Sequence, residues 1–306
     1  MQTQTKGLLL AIAAYSIWGF FPLYFNLLSS VSSVEVLSQR VIWSLVCTLS
    51  ISILLGYWGK LRAALKDPQL RAWLALSAFL ISINWLVYIW AVANHRVIES
   101  SLGYFMTPVV SLILARFFFK EKLHSLQIWA GIVATIAIIW ELVSLGQLPW
   151  VSIVLAFAFA LYGVVRKHCA INSINGMTIE TLWLLPFALA WISWQLITQP
   201  QTLDFASNQP VTLLLIGVGF LSALPLILFA MATRRADLSV VGFIMYINPT
   251  MQFLIGVFVL EESYPPERMV TFILIWFALI LFSIGIWQLR KKHDSSTIRI
   301  GSEKAQ

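Results

Sequence analysis

Charge is scarce in this chain. Charged residues are 11% of its 306 positions and hydrophobic ones 59%, whereas a water-soluble domain carries about 25% charge. No G-x-x-x-x-G-K-[ST] run occurs, which excludes a built-in P-loop ATPase. The histidines, at 95, 124, 168 and 293, lack the spacing of a ligand pair, so no metal site is expected. The two cysteines, Cys47 and Cys169, lie far apart and read as small apolar fillers with no disulfide between them. No serine or cysteine nucleophile can be joined to a base on one helix face, so we expect no catalytic residues, no enzyme activity and no cofactor. The last absence is of Asp and Glu from the central third of every long apolar run. Proton relays and cation sites usually need such an acid, and a proton-driven exporter built on one is disfavoured.

What the chain has instead is ten apolar stretches of about 18 to 23 residues, each long enough to cross a hydrocarbon core of roughly 30 Å as a helix. They fall near 7–28, 35–57, 71–93, 97–119, 125–145, 149–166, 177–198, 211–233, 238–260 and 268–289. Backbone amides in lipid must pair within their own segment, and the short alternating pattern of a membrane β-barrel is missing, so the fold class expected is an all-α membrane protein. Ala11-Ile12-Ala13 resembles a signal-peptide cleavage site, but the apolar run continues to Leu28, which predicts a retained first helix.

Basic residues set the orientation. With the N-terminus inside, 17 of the 20 Lys and Arg residues fall on cytoplasmic segments, leaving only Arg40, Arg96 and Arg268 on the other side. Both termini are then cytoplasmic. The net charge of +7 reads as topology and attraction to anionic membrane lipid, with no contiguous basic face for nucleic acid. The segment from His293 to Gln306 is polar and is expected to be disordered.

The chain repeats itself. Pro108 and Glu121 are 13 residues apart, as are Pro249 and Glu262, and each pair bounds an apolar run. Glu35-Val36-Leu37 matches Glu180-Thr181-Leu182, and Trp18-Gly19 matches Tyr162-Gly163, all at an offset of about 141 to 145 residues. Each half holds five spans, an odd number, so the second half enters the membrane from the opposite side. Inverted repeats are the architecture of secondary transporters. The expected units are two five-helix repeats, residues 1–146 and 147–290, and a cytoplasmic polar tail, 291–306.

The run from Asn84-Trp85-Leu86-Val87-Tyr88 through His95-Arg96-Val97-Ile98-Glu99 to Leu102-Gly103-Tyr104-Phe105, with Pro108 and Lys120-Glu121-Lys122-Leu123, resembles the RarD-type, or chloramphenicol-sensitive, permeases. These are members of the EamA branch of the drug/metabolite transporters. Glu180-Thr181-Leu182-Trp183-Leu184-Leu185-Pro186 and Tyr246-Ile247-Asn248-Pro249-Thr250-Met251-Gln252-Phe253-Leu254 resemble the second half of the same family, and the likeness covers residues 7–289. It implies ten transmembrane helices in two inverted EamA repeats, residence in the bacterial inner membrane, and a substrate path lined by the first, third and fourth helices of each repeat. Met106-Thr107 stands where Ile-Asn is expected in relatives, so no substrate role is carried over to that polar position.

Candidate residues follow from polarity at depth. Asn84 lies well inside an apolar run with Tyr88 one turn on, and its amide needs either another helix or a ligand in a wet cavity. Tyr104 and Tyr246 precede Pro108 and Pro249, and Asn248 lies beside the second proline. A proline within a membrane helix frees a carbonyl and bends the rod, so Pro108 and Pro249 are candidate hinges and Asn84, Tyr88, Tyr104, Tyr246 and Asn248 candidate cavity residues. Arg40 either pairs with Glu35 or guards the outer mouth. Glu35 and Glu180 suit helix starts, with Ser32 completing a capping box for Glu35, while Glu121 and Glu262 read as solvated loop charges. The function expected is alternating-access movement of a small organic solute. The alternative is a membrane scaffold or sensor without flux, and the oligomeric state is open.

Overall fold

The computed structural model describes residues 2–120, 125–146, 148–205, 208–233, 235 and 244–303. Glu121, Lys122, Leu123, His124, Arg234 and Val241-Gly242-Phe243 of the second repeat motif lie outside the described residues, as does Lys304. The described chain is a helical bundle: α1 Gln2–Gly19, α2 Phe21–Asn26, α3 Ser33–Leu54, α4 Trp58–Lys66, α5 Pro68–Ala93, α6 Val97–Phe119, α7 Ser125–Leu145, α8 Trp150–Lys167, α9 Ser173–Thr198, α10 Gln209–Thr233, α11 Ile247–Phe258 and α12 Pro266–Glu303. Among the described residues nine helices are long and apolar enough to cross a membrane, and α11 is a shorter apolar helix. The protein is thus an all-α membrane protein, as its composition predicts.

Local chemistry sets the helix ends. The carboxylate of Asp67 accepts from the amides of Gln69 and Leu70 at 3.0 and 3.1 Å, with Pro68 preset in the first turn of α5. Asn172 caps α9 by accepting from the amide of Asn175 at 2.9 Å. Ser32 occupies the cap position of α3 but its side chain makes no capping bond, so the expected capping box is not formed. Nor does Glu35 supply its half of the box, since its carboxylate accepts instead from the amides of Asp204 and Phe205, at 3.3 and 2.8 Å.

The first and last spans depart from single rods of the expected length. The first span is not one rod but breaks at Phe20, where α1 ends and α2 restarts with Pro22 in its first turn. The tenth continues past the expected start of the disordered tail as far as Glu303, because no proline or glycine interrupts the chain between Trp287 and Ile300. Between the second and third spans, α4 is amphipathic, burying Leu61 and Ala64 while Lys60, Arg62 and Lys66 are exposed, as suits a helix lying at a lipid headgroup surface.

The packing pairs are regular. Helix α3 packs on α9, α6 on α11 and α7 on α12, while α5 packs on α8 as α10 packs on α1, and α6 meets α8 as α11 meets α1. Counted as membrane spans, these are 2 with 7, 4 with 9, 5 with 10, 3 with 6 as 8 with 1, and 4 with 6 as 9 with 1. Small residues allow the closest approaches. Ala130, Ala134 and Ala137 of α7 are buried, each at most 4% exposed, in a core that α12 completes through Phe272, Ile275 and Ala278. A Cβ on Gly103 of α6 would meet the Ser152 carbonyl oxygen of α8 at 2.8 Å, so only glycine permits that crossing. Large side chains such as Leu54, Phe117, Phe187 and Ile197, all more than 70% exposed, cover the outside. This surface is stable facing lipid and a liability in water.

Candidate functional site

Helices α2, α3, α5 and α6 meet α8 around a polar and aromatic cluster. Asn84 of α5 is 2% exposed. Its Oδ1 accepts from the Tyr104 hydroxyl of α6 at 3.2 Å, and its Nδ2 donates to the Leu155 carbonyl of α8 at 3.2 Å. The first and second halves of the chain are therefore joined through this amide. Tyr88, one turn along α5, is 3% exposed and its ring centroid lies 5.8 Å from those of both Phe25 and Tyr104. Its hydroxyl is buried and has no hydrogen-bond partner among the described residues.

Arg40 belongs to the same cluster. Expected at the outer mouth or in a pair with Glu35, it is 5% exposed and forms no ion pair with Glu35. That carboxylate is taken up by the backbone amides of residues 204 and 205. The guanidinium carbon instead lies 4.1 Å from the Trp85 ring centroid, 5.7 Å from Phe25 and 6.0 Å from Phe21. Stacking of this kind offsets part of the cost of removing the charge from water, about 2 kcal/mol at a desolvated site.

The second-half candidates lie elsewhere. Tyr246 lines an apolar pocket of about 550 Å³ with Phe105, Thr250, Trp276, Leu279 and Ile280, between α6, α11 and α12. Asn248 turns along its own helix, its Oδ1 accepting from Gln252 Nε2 at 2.7 Å. Pro108 is inside α6, one turn beyond Tyr104. Pro249 is in the first turn of α11, where its missing N–H leaves no intrahelical bond unmade; the chain breaks just before it, at Met245 and Tyr246. The structure thus unites Asn84, Tyr88, Tyr104 and Arg40 and leaves Tyr246 and Asn248 apart from them.

Carboxylates tie the helix starts together. Glu262, read from sequence as a solvated loop charge, is half-buried and accepts from the amides of Val97 and Ile98 at 2.6 and 2.8 Å, capping α6 from 164 residues away. Burial pushes its carboxyl up, and the two amides oppose that shift. Glu99 accepts from the Val151 amide at the start of α8 at 3.1 Å. Glu180 is not at the first turn of its helix. It is buried on α9, 3.6 Å from Arg166 and hydrogen-bonded to Ser77. The helix-start role expected for it is replaced by an ion pair with the partly exposed Arg166.

Comparison with known proteins decides the family. Residues 5–142 match the EamA-like transporter family. The chain is 41% identical to Protein RarD of Escherichia coli (strain K12) over 278 residues, 90% of this chain and 93% of that one. It is 39% identical to the uncharacterized transporter YojE of Bacillus subtilis (strain 168), across 95% of this chain and 97% of the relative. A Pseudomonas aeruginosa protein named Chloramphenicol-sensitive protein RarD is 30% identical, across 92% and 94%. The chain is a RarD-type member of the EamA-like transporter family. A solved crystal structure with 13% identity superposes with a TM-score of 0.59, over 92% of this chain and 98% of its own, which places the fold alone.

Membership makes this RarD-type protein a membrane transporter, a multi-pass protein of the bacterial inner membrane. Sequence reasoning found the residues of its polar cluster on α5 and α6 but missed the seat of Arg40. The available signal was the aromatic set Phe21, Phe25 and Trp85, whose ring centroids lie 4.1 to 6.0 Å from the guanidinium carbon. It also missed Gln252, which is 2% exposed and paired with Asn248.

Proposed function

We propose that the protein is a secondary transporter that moves a small organic solute by alternating access between two inverted five-helix repeats, residues 1–146 and 147–290. The observation that carries this reading is the seam at Asn84, where α5 and α6 of the first repeat share a polar contact with α8 of the second. A polar group buried at such a seam marks a path in a bilayer protein, because burying it elsewhere costs free energy without gain. The reciprocal packing of α3 on α9, α6 on α11 and α7 on α12 supports a pseudo-two-fold relation between the repeats. With five crossings per repeat, that axis lies in the membrane plane. The excess of Lys and Arg on one side supports cytoplasmic termini.

Asn84, Tyr88 and Tyr104 form the substrate-contacting wall, Pro108 and the break before Pro249 allow the helices to bend, and Tyr246 and Asn248 face the path when the repeats rock. Single cysteines at 84 and 246 test this. A transporter labels at each position from alternate sides of the membrane as its state changes, and it carries solute in liposomes challenged with amino acids, metabolites and chloramphenicol. A fixed accessibility pattern with no flux identifies a scaffold or sensor instead.

A further inference from the structure

Arg40 is a buried cation with no anion. Among the described residues no carboxylate lies within ion-pair distance of it, and the one acid on its own helix, Glu35, is occupied by two backbone amides. Its Nε is buried and makes no hydrogen bond, and the Tyr88 hydroxyl, within electrostatic reach of the guanidinium, is also buried and unpartnered. Trp85, Phe25 and Phe21 surround the charge with ring faces and edges. Partial compensation by aromatic rings leaves the positive potential in place, and in a low-dielectric interior that potential repels cations and attracts anions.

We infer that the cluster of Arg40, Tyr88 and Asn84 is the recognition site for a monoanionic organic solute, an aromatic carboxylate, whose carboxyl group receives the Arg40 fork while its ring lies among Trp85, Phe25 and Tyr88. The inference rests on the transporter reading and adds the substrate class to it. A guanidinium presents two parallel N–H donors that match the two oxygens of a carboxylate. The Tyr88 hydroxyl adds a third donor, and Asn84 keeps its neighbour Tyr104 oriented. One buried cation balances one negative charge; a dianionic phosphate would leave a second charge uncompensated, so the site favours carboxylates over phosphates. The aromatic lining favours a flat apolar body over a sugar or a polar amino acid.

The test uses the full chain, purified in detergent and reconstituted in liposomes, with phenylacetate, its neutral analogue phenylacetamide, and phenylphosphonate as probes. Binding is read from equilibrium binding of radiolabelled probe and from thermal stabilisation; flux is read with the same probes. We expect phenylacetate to bind at least about tenfold more tightly than either other probe, a gap of about 1.4 kcal/mol. Arg40→Met should abolish that preference while its Tm stays level or rises, because a buried unpaired charge is replaced by an apolar side chain of similar length. Arg40→Lys, which keeps charge and loses the fork, should retain part of the preference. Equal binding of acid and amide, stronger binding of the phosphonate, binding of none of the three, or undiminished phenylacetate preference in Arg40→Met overturns the inference. If Arg40→Met does not fold, the wild-type comparison of acid with amide still decides. Alternating labelling at 84 and 246 together with flux of neutral solutes would leave the transporter reading standing after such a failure.

Discussion

Arg40 and Leu185 stand at matching places in the two halves, five residues after Glu35 and Glu180, and their surroundings differ in kind. Arg40 faces a polar and aromatic cluster in which Asn84 and Tyr104 are hydrogen-bonded, whereas the stretch of α10 that matches Asn84 at the repeat offset, residues 225–229, reads Pro-Leu-Ile-Leu-Phe. Tyr246, near the match of Tyr104, lines an apolar pocket. Yet the helices pair alike, α5 on α8 as α10 on α1. The two halves thus share helix pairing and differ in polarity: in this cluster the first half carries the polar side chains, and the second contributes the Leu155 carbonyl.

The matched acids give the sharpest way to break this comparison. Glu180 is buried against the partly exposed Arg166 with Ser77 as a further partner, so Glu180→Ala leaves Arg166 and Ser77 without that acceptor and should cost about 2–3 kcal/mol. Its first-half counterpart Glu35 serves two loop amides near the membrane surface, and Glu35→Ala should cost about 1–2 kcal/mol. Thermal and denaturant unfolding in detergent checks both. Equal losses would mean that the two acids do one job. The double variant Arg166→Met with Glu180→Leu should recover most of the stability lost in Glu180→Ala.

A smaller contrast concerns the glycines Gly19 and Gly163, matched in sequence. A Cβ at Gly19 would meet the Met251 Cβ and Sδ at 2.8 Å, while one at Gly163 meets nothing within 4 Å. Gly19→Ala should therefore cost about 1–3 kcal/mol through overpacking of α1 against α11. Gly163→Ala, at an exposed position inside α8, should gain about 0.5–1 kcal/mol. Melting temperatures of the two single variants decide it, and a gain at both positions would show that Met251 moves aside freely.

The spans were legible because lipid imposes one rule on every residue of a crossing: apolar side chains and internally paired amides. Val97–Phe119 and Ser125–Leu145 therefore fall where the apolar runs place them. The break at Phe20 carries a signal in the sequence, since Gly19 precedes it and Pro22, a helix-bending residue, follows in the first turn of α2. Asn84 and Tyr104 stood out as polar groups in apolar runs, and both join the cluster. The distant partners of Glu35, Glu99 and Glu262 were hidden because they are backbone amides far away in sequence, and an amide carries no residue-type signature. Arg40 misled for a related reason: charge invites an opposite charge, and three aromatic rings took its place.

Modest effects on stability, and the most informative ones on transport, are expected at the two asparagines. Asn84→Ala removes one bond to Leu155 and one from Tyr104, leaving a carbonyl and a hydroxyl to find new partners, and should cost about 1–2 kcal/mol in stability. If Asn84 also orients the wall of the path, flux should fall by more than that loss of fold explains, by about tenfold in protein that remains folded. Asn248→Ala breaks only a contact with Gln252 along the same helix and should cost about 0.5–1 kcal/mol and two- to threefold in flux. Flux normalised to folded protein separates the two roles. A tenfold loss at Asn248 with none at Asn84 would move the working chemistry to the second half and reverse the comparison, whereas losses that track unfolding at both positions would reduce both asparagines to ties between helices.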